Sequence, residues 1–425
     1  MSWVILLMST VCTLYFIYFL YIIVRGAIHK GTPIPEVAPC KRIAAVIPAR
    51  NEALVIPNLI DSLLKQNYPR ALYDVYVVPN GCSDTTAEAA QAAGAKVITC
   101  AQPVHSKGEV LKYTFEKLMK APEKYDGFVV FDADNIADAN FLQAVNNTLC
   151  AGYQAGQGYR DSKNPNDSWV AGCMSIFFWF MNRLYNRPRA AIGMSAPFNG
   201  TGILLGRELI AKIGYNTTSL TEDLEMTAQC TLADEKIAWM PDAITYDEQP
   251  VKLKDSFIQR RRWAAGMRQC CFRYAPKLLK KAIKEKNKIC IDLVIQFSGW
   301  LVQLIGLIPG ILTAIMLAMQ IAEHTDAGVH AAIAVLAWGA LSCVLTGAVL
   351  VVVICGLEGK LTRERLTEVC SMGLFILLSL IPNTLGSVAR SPKWVSIPHV
   401  KSVNIDAYEE KPQPLPFEPK ETESL

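Results

Sequence analysis

Two acids two residues apart, Asp132 and Asp134, end the apolar run GFVVFDAD at 127–134. On a strand, residues i and i+2 share a side, so the pair could present two carboxylates together. That suits an oxygen-preferring divalent ion, Mg²⁺ or Mn²⁺, held with a diphosphate. A plain polar turn is the competing reading. Further on, SLTEDLEM at 219–226 reads as a helix start with Thr221 as N-cap. Glu222 and Asp223 could simply complement the helix dipole there, or Asp223 could act as a general base toward a substrate hydroxyl. A third cluster, QRRRW at 259–263, sets three arginines and a tryptophan ahead of a long apolar run. On a helix, Gln259, Arg262 and Trp263 share a face. Arg260 and Arg261 turn away by roughly 100° and 200°, toward lipid headgroups or acidic neighbours.

The elements that must position these groups are legible as alternation. RIAAVIPA (42–49) is a buried-strand run, 53–66 has helical periodicity, and DVYVVP (74–79) is a second strand. An Ala-rich helix at 84–95, capped by Ser83 or Asp84, precedes the strand KVITC. A helix at 107–120 and the strand 127–134 complete the series. This order predicts a parallel sheet with right-handed crossovers and a ligand site beyond the carboxyl ends of its strands.

The chain has 425 residues, 51% of them hydrophobic, and a net charge of +4. Its mean hydropathy of +0.22 points to membrane segments. The charge neither demands nor excludes nucleic acid; no nucleic-acid partner is expected. Thirteen scattered cysteines without CxxC spacing read as buried or membrane thiols, not a metal site. Trp3 to Val24 carries no charge and is long enough to span a bilayer. Arg25, His29, Lys30, Lys41 and Arg42 follow it, which places the N-terminus outside and the next region in the cytoplasm. Apolar stretches at roughly 290–322, 329–356 and 369–388 close the chain. Three passes would leave the C-terminus outside, whereas Arg390, Lys393 and Lys401 argue for inside; Pro309-Gly310 and Pro382 are expected to break two stretches.

Asp132-Ala-Asp134, Thr221-Glu222-Asp223 and Gln259 to Trp263, in that order, resemble the DxD, TED and QxxRW series of membrane-integrated family 2 glycosyltransferases of the hyaluronan, chitin and cellulose synthase type. The resemblance runs from VIPARNE (46–52) through WAAGMRQ (263–269). It implies an α/β GT-A (Rossmann-like) cytoplasmic domain plus α-helical transmembrane segments. The expected organisation is a transmembrane helix at 1–25, the GT-A domain at 40–250, and an amphipathic interfacial helix at 251–285. A membrane region of about three segments at 289–389 and a partly disordered tail at 390–425 follow.

The resemblance also implies roles. Pro48, Ala49, Arg50, Asn51 and Glu52 would cradle a uridine. Asn80 stands where the family usually has an acid for the uracil N–H; Asn can accept there but can also donate. Lys107, before Gly108, would meet the donor, though an ordinary surface lysine is the competing reading. Asp134 and Asp132 would hold Mg²⁺ or Mn²⁺, and Arg262 beside Gln259 would stabilise the leaving diphosphate. Asp223 would be the base of a single inverting displacement. Gly200, Thr201, Gly202, Glu222 and Trp263 would line the acceptor side. The stretch 174–189 reads either as an interfacial helix or as a core helix, and 391–399 resembles a gating segment.

The expected protein is an integral protein of the plasma membrane, its partners a nucleotide-sugar donor (UDP-sugar), a glycan or lipid acceptor and the bilayer. Elongation of a β-linked polysaccharide, with translocation, is the first expectation; a single transfer to a lipid is the alternative. A degenerate binding protein is disfavoured by the intact acids Asp132, Asp134 and Asp223. Sugar identity, oligomeric state and any accessory subunit are not readable.

Overall fold

The computed structural model describes residues 2–29, 31–322, 326–388 and 403–409. The segment 391–399 lies outside the described residues. In chain order the elements are α1 (Ser2–Ile28), β1 (Ile43–Ala49), α2 (Ile56–Leu64), β2 (Tyr73–Pro79), α3 (Thr86–Ala92), β3 (Lys96–Val97), α4 (Lys107–Met119) and β4 (Gly127–Val130). Then come β5 (Ile136–Ala137), α5 (Phe141–Cys150), β6 (Ala155–Ser162), α6 (Trp169–Phe180), α7 (Arg187–Ala191), β7 (Ile203–Gly206), α8 (Arg207–Ile213), α9 (Glu222–Leu232) and β8 (Ile237–Asp247). The chain continues through α10 (Leu253–Glu285), α11 (Lys288–Phe297), α12 (Gly299–Ala322), α13 (Asp326–Leu357) and α14 (Leu366–Val388).

One eight-stranded sheet, in the order β3-β2-β1-β4-β7-β6-β8-β5, organises the α/β region. Its first four strands are parallel, as the alternation predicts. The rest is mixed: β7 runs antiparallel to β4 and β6, β8 is parallel to β6, and β5 is antiparallel to β8. The alternation of β1 sends Ile43, Ala45 and Ile47 to one core with Leu59, Leu63 and Phe141, and Ala44 and Val46 to another with Leu111, Phe115 and Phe128. Local chemistry sets the helix starts. Ser106 accepts from the Glu109 amide while Glu109 accepts from the His105 amide, a reciprocal cap that fixes α4.

Three expectations need correction. The fourth strand stops at Val130, and the Phe131 amide donates to the Val46 carbonyl as the chain leaves the sheet. Asp132 and Asp134 therefore lie in a turn, closed by the Asn135 amide on the Asp132 carbonyl, rather than on a strand face. The prolines do not break the apolar stretches: α12 and α14 run through Pro309 and Pro382. The first stretch bends instead by 46° between α11 and α12, where Ser298 turns its hydroxyl onto the Ile295 carbonyl and Gly299 follows. Among the described residues, three helices are long and apolar enough to cross a membrane, four if the bent pair counts as one span.

Of the two readings for 174–189, the structure supports a packed helix. Cys173, Ile176 and Trp179 are buried with Val351, Ile354 and Phe375 of α13 and α14. A π-helical turn at Met181–Asn186 then leads into α7. The α13–α14 loop is tied to the same region: Glu358 accepts from the Tyr159 hydroxyl, Lys360 pairs with Asp161, and Arg365 donates to the Pro165 carbonyl at 3.0 Å.

Candidate active site

Two loops at the carboxyl ends of β1 and β2 are stitched to each other. Asn51, at φ 58°, accepts from the Ser83 amide. Asp84 accepts from the Ala53 and Thr86 amides and the Thr86 hydroxyl, and Thr86 in turn accepts from the Glu52 amide. Asp84 thus serves the start of α3 and the first loop together. The Asn80 amide donates to the Ala49 carbonyl, so Pro48, Ala49, Arg50, Glu52 and Asn80 form one rim.

The next strand ends bring charge together. Lys107, first residue of α4, lies 2.6 Å from Asp132 Oδ1 and 3.1 Å from Glu222 Oε1, and donates to the Gly200 carbonyl at 2.9 Å. It is not an ordinary surface lysine. Burial opposes its charge, but the two carboxylates outweigh it and hold the ammonium charged above the usual lysine range. The Asp132 amide donates to Asn135 Oδ1 and Thr201 Oγ1, and the Thr201 hydroxyl also bonds Asn135. The acidic turn is thereby locked to the 199–202 loop, where the Gly202 carbonyl accepts from the Gly158 amide.

Asp134 is buried and accepts from the Glu248 amide at 3.2 Å. Among the described residues no three His, Cys, Asp or Glu side chains converge as a metal cage. Two carboxylate side chains suit an oxygen-preferring Mg²⁺ or Mn²⁺ ion, with Lys107 already paired to Asp132; a diphosphate and water would have to supply the remaining ligands.

Asp223 sits in the first turn of α9. Burial, then the charge of Glu222, pushes its carboxyl up to about 7, against the pull of the Leu224 amide, Lys107 and Arg160. A carboxylate poised there is matched to taking a proton near neutral pH. Gly200 faces it at φ 92°, a conformation that favours glycine. A methyl group at Gly200 would fall 3.7 Å from both Asp223 Oδ2 and Arg160 Nη1.

The helix carrying QRRRW crosses the start of α9. Leu220 donates its amide to Gln269 at 3.0 Å, Thr221 meets Cys270, and Arg273 pairs with Glu225 at 2.7 Å. Arg262 lies on the same stripe of α10, about two turns before Gln269. The Arg262 Nε and Gln259 Oε1 atoms are buried and bond no described residue. Trp263 stacks on Phe177 (centroids 6.2 Å apart) and meets Phe178 edge-on. Arg260 departs from expectation: it is buried, bonds Ser379, and lies 4.3 Å from the Phe375 ring. α14 claims it, which leaves the exposed Arg261 alone of the pair for lipid or solvent.

Two site residues were missed in the sequence. Arg160 on β6 pairs with Asp247 at the end of β8 and donates to the Asn199 carbonyl. Asp247 also accepts from Gln249 at 3.0 Å. Burial raises the Asp247 carboxyl to about 6, opposed by Arg160 and reinforced by Asp134. No local sequence pattern singled them out: β6 reads AGQGYRDS, a mixed polar run.

Comparison with known proteins identifies the family and the fold. Residues 39–266 match the family model described as "Glycosyltransferase like family 2". The chain is 24% identical over 277 residues to the probable glycosyltransferase YdaM of Bacillus subtilis, covering 63% of this chain and 64% of that protein. It is 24% identical over 262 residues to a beta-monoglucosyldiacylglycerol synthase of Trichormus variabilis, covering 56% of this chain and 51% of that protein. The matches thus span less than two thirds of the length of these relatives. Among solved structures, the mannosyltransferase PcManGT from Pyrobaculum calidifontis, in complex with GDP-Man and Mn²⁺, shares the fold. Its TM-score is 0.59 at 18% identity, covering 89% of this chain and 97% of that one.

Proposed function

Since the chain belongs to glycosyltransferase like family 2, we propose that it is an inverting, membrane-held glycosyltransferase taking a nucleotide-sugar donor and an acceptor hydroxyl. The observation that carries this reading is the Asp223 carboxyl, raised to about 7, beside the cluster Lys107, Asp132 and Glu222. The rim from Pro48 to Glu52 and Asn80 holds the nucleotide. Asp134 and Asp132 would hold a divalent ion, which would neutralise charge on the diphosphate. Lys107 and Arg262 meet the diphosphate from the other sides, with Gln259 bonding alongside. Asp223 takes the proton of the acceptor hydroxyl as it attacks the anomeric carbon from the opposite face, so an α-linked donor yields a β-glycoside.

The acceptor in the first reading is the growing end of a β-linked glycan, with Trp263 and the Gly200–Gly202 loop beside it. A lipid acceptor is the second reading, favoured by the aromatic wall of Phe177, Phe178 and Trp263, continuous with α13 and α14. The relative named as a beta-monoglucosyldiacylglycerol synthase fits that reading.

The ties to the catalytic domain support a membrane placement within this reading. The end of α1, the start of α11 and the α13–α14 loop all adjoin that domain. The end of α14 adjoins it too: a methyl on Gly386 would fall 2.3 Å from the Arg261 carbonyl oxygen of α10. In this reading α1, the α11–α12 pair and α13 cross, and α14 returns along the membrane face on the side of the catalytic domain.

The test is transfer by purified protein given labelled UDP-glucose, UDP-GlcNAc, UDP-GlcUA or GDP-mannose with Mg²⁺ or Mn²⁺. Polymer retained at a gel origin supports the first reading and a single labelled lipid the second. Absence of both, with no donor hydrolysis, would overturn the proposal.

A further inference from the structure

Arg160 is a buried cation that the donor side does not use. Its guanidinium makes three kinds of contact. One nitrogen pairs with Asp247, another donates to the Asn199 carbonyl, and its flat face lies 3.9 Å from the centre of the Phe178 ring. The backbone of Arg160 is clamped as well, because Asn182 accepts from its amide and donates to its carbonyl.

The geometry around Gly200 connects this cation to the base. Arg160 Nη1 and Asp223 Oδ2 each lie 3.7 Å from the point a Gly200 side chain would occupy. They are therefore no more than twice that distance apart, flanking one small space. The groups facing Asp223 are Glu222 beside it, Lys107 from α4, Arg160 from β6, Tyr215 from the loop before α9 and Cys270 from α10. The two cations are Lys107 and Arg160. Lys107 is shared between Asp132 and Glu222, whereas Arg160 has its own counter-ion, Asp247 on β8.

We propose that Arg160 is a positioning residue of the transfer reaction: tethered by Asp247, its guanidinium fixes the Asn199–Gly202 loop and sets a permanent positive charge beside the Asp223 carboxylate. This rests on the reading of Asp223 as the base. Arg160 favours the ionised form of that base against burial and the charge of Glu222, and ties down the glycine loop through the Asn199 carbonyl.

The test compares Arg160→Gln with Arg160→Lys in the full-length protein. Three quantities are measured: UDP binding with Mn²⁺ by calorimetry, the pH profile of transfer, and the infrared titration of the Asp223 carboxyl, isolated by subtracting the Asp223→Asn spectrum. Arg160→Gln should move the titration midpoint and the acid limb upward by about one pH unit and lower transfer at pH 7 by about tenfold or more. Arg160→Lys keeps the charge but loses the planar fork. It should lower transfer with the midpoint in place. UDP binding should be unchanged in both. An unmoved infrared midpoint in Arg160→Gln, full transfer by Arg160→Lys, or loss of UDP binding in step with transfer would each overturn the proposal. If Asp223→Asn keeps full transfer, the base reading itself fails, and the infrared midpoint still judges the charge of Arg160 on its own.

Discussion

Lys107 Nζ lies 2.6 Å from Asp132 Oδ1, so the first residue of α4 is ion-paired with the first acid after β4. The same ammonium reaches Glu222 on α9. One side chain thereby spans the proposed donor and acceptor halves of the site. Lys107→Met should weaken UDP binding with Mn²⁺ by about tenfold, the scale of a lost charge-assisted contact, and lower transfer further. Calorimetry and turnover separate the two effects. Unchanged affinity would confine Lys107 to the Glu222 side.

Transfer should rise with pH through a limb centred near pH 7, because Asp223 must be ionised to accept a proton and burial with Glu222 holds it up to about 7. Asp223→Asn should lower transfer by about 10²–10⁴-fold and remove the limb, while UDP still binds. A pH–rate profile checks this. A limb in the ordinary carboxylate range would contradict the assignment.

The same shift predicts a stability effect. The folded state holds the Asp223 proton up to about pH 7, and the unfolded chain releases it in the usual carboxylate range. Between those values the native state binds more protons, so this group's contribution to stability falls as pH rises. Asp223→Asn should therefore raise the melting temperature more at pH 8 than at pH 5. Thermal unfolding in detergent at both pH values decides it; an equal change would exclude the charge as the cause.

The three arginines of QRRRW should separate cleanly. Arg262→Lys should nearly abolish transfer with little change in melting temperature, since a planar fork is lost at the diphosphate side. Arg260→Leu should destabilise the fold by about 1–3 kcal/mol, leaving Ser379 and the Ser256 carbonyl without their donor. Arg261→Leu should be mild in both assays. Equal losses at all three positions would undo this division.

A cysteine placed at Glu409 should react with an impermeant thiol reagent only from the face that carries the catalytic domain, because α14 ends against α10. Labelling of intact and opened vesicles, in a background with the exposed Cys40 and Cys370 replaced, distinguishes the sides. Labelling from the opposite face would make α14 a full crossing.

The acids and QRRRW were legible because each is a contiguous run whose residue types carry the chemistry. Arg160 and Asp247 were not, because they meet only when β6 lies beside β8, with Arg160 opposite Thr245 and Ser162 opposite Asp247. The first four strands announced themselves through alternation with helices. The later strands did not, because β5 and β7 are short and their partners run antiparallel. Arg260 was misread because helical geometry fixes an angle but not the neighbour at that angle, and α14 supplies one. The bend at Ser298 was hidden behind the more conspicuous prolines, which a helix can absorb when neighbouring groups satisfy the freed carbonyls.

The π-helical turn at Met181–Asn186 acts as a phase adjuster. Ahead of it, α6 addresses α13 and α14; within and beyond it, Tyr185 bonds Gln296 and Arg189 grips Asp292 on α11, while Asn182 clasps the backbone of Arg160. An uninterrupted α-helix would set these contacts about 100° out of step for each residue removed. Shortening the turn by one residue would leave the contacts ahead of it in place yet rotate those beyond it away from their partners. That one wide turn lets a single rod mesh with α13 and α14 on one side and with α11 and Arg160 on the other.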